Sequence, residues 1–357
     1  LQPHDLVISA AGTVSIFTED LTVGNLLTVN AGATFATSGN NLTVSSNASV
    51  AGTLTGSAAP DQIVVNGDTS ATGRINLNGG NLTTTNLTVS GVPGLVASGT
   101  ETITVNANID FSNAGDNFTQ ASSTILMAGA ATPATINATG ENGFHHLTVA
   151  KSLSTDVVQL LTNLALTNAT GVLTLTTGNL QLNGFSLTLG TDFTLNSANA
   201  TLTVGTGTFN GATNARSVTL TTGTVTQSTG TLSGAGLTLN GVGASYTITA
   251  AGTVSLSGPI DVSAGTFTLD GATVGSVGLT QTGGTINANT AAITSSGSVA
   301  VTGGTFAEGT STLTMSGAGT TVRFTAPRQP YNLTVSAAGT VSILTDDLSV
   351  GNALTVN

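Results

Sequence analysis

Asp116 and Glu141, 25 residues apart, are the two carboxylates in this sequence whose spacing invites acid–base chemistry. A carboxylate pair held across a groove could cleave a glycosidic bond, one group as acid and the other as base or nucleophile. Both sit in Gly-rich, loop-like sequence, where solvated loop charge is the plainer reading. A lyase of the kind that sets a basic residue beside carboxylate-bound calcium needs a cation next to the site. Arg74, Lys151 and Arg216 have no basic neighbour about 22 residues away, where a stacked repeat would bring one. His145 and His146 are the only adjacent imidazoles. Neighbours on a strand point to opposite faces, so these two share a metal only if the chain bends, and no third His or Cys nearby completes a zinc set. A turn and strand start is expected there.

Glu19-Asp20 and Asp346-Asp347 form the remaining cluster. Carboxylates that recur once per repeat could hold Ca²⁺ together with backbone carbonyls, and these four residues are the metal candidates. The Gly-Gly-x-Gly-x-Asp pattern of calcium-binding solenoids is absent, and a charged corner that deters edge pairing is the preferred reading. No nucleophile elbow, phosphate loop or dinucleotide fingerprint occurs. Nine N-x-S/T sequons, among them Asn41, Asn86, Asn199 and Asn332, are what an Asn- and Thr-rich chain contains by chance.

What must position any such residue is a run of very short strands. In residues 172–190, Leu173-Thr174-Leu175, Leu180-Gln181-Leu182 and Leu187-Thr188-Leu189 begin seven residues apart. Each alternates apolar and polar, the signature of a strand with one buried face. Similar runs recur along the chain, at Leu42-Thr43-Val44, Ile103-Thr104-Val105, Leu237-Thr238-Leu239 and Leu313-Thr314-Met315 among others, with Gly, Asn or Thr between them. An isolated three-residue strand has almost no stability, so each must lie on the next. The expected fold is all-β, a β-solenoid and most specifically a right-handed parallel β-helix, with about 22 residues per coil and roughly sixteen coils. Leu175 should point inward and Thr174 outward. Residues 157–166 are the best helix candidate, yet they are broken by Thr and Asn and continue a strand pattern. Bulging loops are expected at residues 56–61, 106–129 and 325–330. The alternative fold is a string of immunoglobulin-like sandwiches, but the turns come too often and the aromatic core is missing. Trp is absent and Tyr246 and Tyr331 are the only tyrosines, so Leu, Val, Ile and Ala are expected to fill the interior.

The chain is organised by a long repeat. Residues 1–30 return as residues 328–357, with 21 of 30 positions identical at a constant offset of 327. Residues 1–357 are therefore read as a single elongated solenoid segment, with 1–327 one repeat unit and 328–357 the start of the next. A weaker echo begins at Phe144.

The net charge of −11 repels nucleic acid, and no apolar run approaches the roughly 20 residues that span a bilayer. Neither nucleic-acid binding nor membrane insertion is expected. The absence of Cys fits an extracellular bacterial protein, and a start at Leu1 without a leader suggests a mature product or a window of a longer chain.

The segments NLTVSAAGTVSILTDDLSVGNALTVN and GFHHLTVAKSLSTD resemble the Thr-, Gly- and Asn-rich β-strand repeats of large bacterial cell-surface proteins: adhesins, autotransporter passengers and filamentous-haemagglutinin-like proteins. The resemblance implies an exported, elongated structural or adhesive protein, and it brings no catalytic residue. The expected function is a non-catalytic, protease-resistant segment of an extracellular fibre, sheath or surface adhesin. Its expected partners are further copies of itself and, as a second class, cell-surface glycans. No cofactor is expected beyond the Ca²⁺ considered above. Two other functions are weighed against this: a polysaccharide-binding or polysaccharide-cleaving β-helix, and an ice-binding solenoid. Aligned Thr columns would favour ice, but Thr here is spread over every strand, as a solubilising β-branched surface requires.

Overall fold

A computed structural model describes residues 2–9, 11–58, 61–111, 117–139, 143–166, 168–211, 216–344 and 347–357. Among these residues the chain is all-β with no helix, and the pairings described are parallel. The fold is a β-solenoid in which a strand meets its equivalent roughly 21 residues later. Parallel stacking rules out the sandwich alternative, whose sheets are antiparallel. The chain divides into two compact units, Leu1–Thr174 and Leu175–Asn357.

In the first unit the early coils each supply one short strand to each of three faces. Leu6–Ile8, Leu27–Val29, Ala48–Val50 and Thr69–Ala71 stack on one face. Gly12–Ser15, Ala33–Ala36, Thr53–Thr55 and Arg74–Asn76 form the second. Leu21–Val23, Leu42–Val44, Gln62–Val65 and Asn81–Thr84 form the third. Three-residue strands suffice because the inward pair of each is sealed above and below: Leu27, Val29, Leu42 and Val44 are all fully buried. Each such side chain contributes about 1.5–3 kcal/mol. Residues 157–166 hold two strands, Val157–Leu160 and Leu164–Leu166.

The expected loop over residues 106–129 instead carries three strands, Ile109–Asp110, Phe118–Thr119 and Thr124–Met127, that all belong to the stack. Phe111 and Phe118 stack at 5.8 Å with Phe144 edge-on to both. This buried aromatic cluster keeps the flanks of residues 112–116 within the coil, although Gly and Asn interrupt the alternation. At residues 325–330 no strand forms, as expected.

The second unit is built differently. Two of the three runs read in residues 172–190 are one strand, Leu173–Gln181, which passes through Gly178 at a φ of 100°. Leu175 is buried and Thr174 exposed, as their alternation requires. Phe193–Gly205, Ser217–Gln227 and Gly236–Ile248 are likewise long strands that cross a corner without interruption. Later coils split at that corner, as into Pro259–Val262 and Thr266–Leu269. A separate face runs from Ser186–Leu189 through Thr253–Leu256 and Thr312–Met315 to Ala353–Val356. The interior is not purely aliphatic: Phe193 meets Phe209 at 5.5 Å, Tyr246 meets Phe267 at 5.4 Å, and Phe306 meets Phe324 at 5.3 Å. Phe is present eleven times and supplies the aromatic contacts that the absent Trp does not. Tyr246 is fully buried, which pushes its phenol up, and its hydroxyl donates to the side-chain carbonyl of Gln227.

Candidate functional site

The acidic corner is used by the fold itself. Asp20 accepts the backbone N–H of Asn41 at 2.8 Å on one oxygen and its side-chain amide at 2.9 Å on the other. These bonds, side chain first, hold the Asp20 carboxyl below its usual range. The ladder continues as Asn41 accepts from Gln62 N–H at 2.9 Å, and Asn81 accepts from Thr102 N–H at 2.7 Å. At three of the four steps an Asx side chain thus receives a strand-start N–H from the following coil, and at the remaining one Asn81 N–H donates to the backbone carbonyl of Asp61 at 3.1 Å. Glu19 is exposed beside this ladder. Asp347, the repeat partner of Asp20, is exposed. Asp346 lies outside the described residues, as do Asp116 and Glu141.

His145 and His146 come together after all. His145 occupies a bend before the strand His146–Ala150, and that bend brings the two rings to 4.3 Å. His146 Nδ1 accepts from Val172 N–H at 3.1 Å and His145 Nε2 meets the Thr170 hydroxyl at 3.1 Å. Burial, and then the His145 ring, hold the His146 imidazole below its usual range. The pair ties residues 168–172 to the strand start, and among the described residues no group of three metal-ligating side chains converges anywhere.

Two buried charges escaped the sequence reading. Glu101 is buried, and burial opposes its ionisation, yet its carboxyl is held below its usual range by the N–H groups of Ser98, Glu101 and Gly99 and the Ser98 hydroxyl. The same carboxylate also accepts from Gly79 N–H at 2.9 Å, across one coil. Lys151 is buried and donates to the carbonyls of Asn106 and Ala128, so that it clamps both ends of the segment between them. Burial pushes its ammonium down and Asp156 partly offsets this. The signal available in sequence was Glu101 behind a Ser-Gly turn; nothing marked Lys151.

The two copies of the repeat adopt the same register. Leu6, Val7 and Ile8 pair with Leu27, Thr28 and Val29, and Leu333, Thr334 and Val335 pair with Leu354, Thr355 and Val356. Even the corner bond is repeated: Asn25 donates to Asp5 at 2.7 Å and Asn352 to Asn332 at 2.8 Å. Cover is what differs. Leu27 and Val29 lie under Ala48–Val50, fully buried, whereas Leu354 is 60% and Val356 71% exposed. Leu27 N–H donates to Asn47 in the next coil at 3.0 Å. Asn357 N–H turns back to Val335, and alternate residues of a strand face opposite neighbours, so Leu354 turns its N–H to the open side. Leu348, Ser349 and Val350, equivalents of the strand Leu21–Val23, form no strand.

No family model, curated protein or solved structure matches this chain.

Proposed function

We propose that this chain is a non-catalytic structural segment of a bacterial extracellular fibre, sheath or surface adhesin, made of 327-residue repeats. The observation that carries this reading is that residues 1–30 return as residues 328–357 and pair in the same register, Leu6–Ile8 on Leu27–Val29 and residues 333–335 on residues 354–356. Repeats that fold alike can stack coil on coil along one fibre. Mechanically, continuous backbone ladders over a buried core resist both unfolding and proteolysis without disulfides.

The test is diffraction from the oriented native assembly. Coils stacked along the fibre place a strong reflection near 4.8 Å on the fibre axis. A reflection of that spacing perpendicular to the axis, or none, overturns the arrangement.

A further inference from the structure

A groove of about 520 Å³ opens on the outer face of the first unit, over the strands Thr69–Ala71, Leu87–Val89, Ile109–Asp110 and Ala134–Asn137. Its volume is that of a small-ligand site, about 300–1,000 Å³, but its chemistry is unlike the usual apolar pocket. Two columns of polar side chains climb it, one step per coil. Asp68, Asn86 and Asn108 stand at the strand starts; Ser70, Thr88, Asp110 and Asn137 stand two residues further along, in register.

The columns are held rigid by their own bonds. Asn86 donates to one Asp68 oxygen at 2.7 Å, Asn86 accepts from Asn108 N–H at 3.0 Å, and Asn108 accepts from Thr135 N–H at 2.9 Å. Asn137 donates to one Asp110 oxygen at 3.0 Å. Each aspartate therefore keeps its second oxygen as an acceptor in a pre-positioned frame. Among the described residues no cationic side chain lines the groove, and the half-exposed Leu161 supplies an apolar patch at its border.

These features select a ligand class. Two carboxylates without a counter-charge repel acidic polysaccharides, phosphates and nucleic acid. They do not make a calcium site together: two coils and two residues separate their backbones by about 12 Å, whereas Ca²⁺ requires its oxygens at about 2.3–2.6 Å. Both side chains lean towards the following coil, so the gap is not closed. It also exceeds the roughly 5–9.5 Å that glycoside hydrolysis needs between its two carboxyl groups. What remains is a ligand that offers hydroxyl donors and acceptors repeatedly along its length. The coil rise of about 4.8 Å is close to the length one pyranose adds to a β-linked chain.

We propose that this groove binds a neutral glycan chain, about one sugar per coil, without cleaving it. The proposal goes beyond the fibre reading and is independent of it, since it concerns a single unit of the separated chain. The experiment is calorimetric titration of the full chain with neutral β-linked hexaoses of glucose, xylose and N-acetylglucosamine, alongside hexagalacturonate. At least one neutral hexaose should bind with Kd below about 1 mM, its trimer more weakly, and hexagalacturonate not at all. Thr88 is exposed between Ser70 and Asp110 and makes no side-chain hydrogen bond. Thr88→Arg, which fills the groove and neutralises its aspartates, should weaken binding at least about tenfold with an unchanged melting temperature. Asp110→Asn, which keeps the bond geometry, should weaken it severalfold. No saturable binding of any neutral hexaose, equal binding by hexagalacturonate, undiminished binding in folded Thr88→Arg, or release of reducing ends would each overturn the proposal.

Discussion

Leu220→Asp will open the coils around it, costing about 5 kcal/mol or more, while Thr219→Asp, its neighbour on the same strand, will be within about 0.5 kcal/mol of the parent. Leu220 is fully buried between Leu195 on one coil and Leu239 on the next, both fully buried too. Truncating such a leucine already costs about 2–5 kcal/mol. A carboxylate there has no partner, so it must be protonated or stay charged out of water. Thr219 lies outward between Thr194 and Thr238, half-exposed, where a carboxylate keeps its hydration. Because solenoid coils depend chiefly on their nearest neighbours, limited proteolysis of Leu220→Asp should cut near residues 195–239 first. Equal susceptibility of the two variants would mean that the inward and outward faces are wrongly assigned.

Gly317→Ala will be nearly as damaging for the opposite reason, since here an atom is added rather than a charge. A Cβ at Gly317 would stand 1.7 Å from the carbonyl oxygen of Ser296, and one at Gly297 equally close to that of Val277. Neither position has a left-handed backbone; the demand is space, because backbone packs on backbone at this corner. Neither contact ends on a flexible side-chain tip, so the coil must shift, at about 3 kcal/mol. Gly275→Ala is the control. Its Cβ would meet nothing nearer than 3.9 Å, and the change should stay within about 0.5 kcal/mol. Thermal melts of the two variants decide it: a Gly317→Ala protein that melts with the parent would show that the coils do not approach this closely.

The alternation of Leu-Thr-Val was enough to read the solenoid, because a period of two with a polar middle residue leaves one buried face and no second element to cover it. Corners were harder. Glycine marks a corner in sequence whether the strand stops there or runs through, and Gly178 lies inside a continuous strand while Gly265 lies in the bend between two, Pro259–Val262 and Thr266–Leu269. Phe111, Phe118 and Phe144 form a cluster that no short window reveals, since their contact depends on which coils become neighbours. The side-chain candidates fared unevenly for the same reason. His145 and His146 were judged as strand neighbours, but the bend at His145 sets its ring beside that of His146. Asp20 was legible as a corner residue, though its role as acceptor for Asn41 depends on a register that sequence fixes only once coil length is known. Glu101 and the groove beside Asp110 belong to positions about one coil apart, and coil length varies: the bond from Thr135 to Asn108 spans 27 residues where that from Asn41 to Asp20 spans 21.

The central claim, that this repeat stacks into a fibre, is tested most directly by elongation of the purified chain. Leu354→Pro removes the outward N–H and leaves the bonds back to Asn332–Val335 in place, the device by which natural sheet edges are blunted. Followed by sedimentation and electron microscopy at rising concentration, the parent chain should grow into fibres. Leu354→Pro, equally folded by circular dichroism, should stay at single-chain mass. A parent chain that remains discrete at every concentration, or a Leu354→Pro chain that elongates as readily as the parent, would contradict the account.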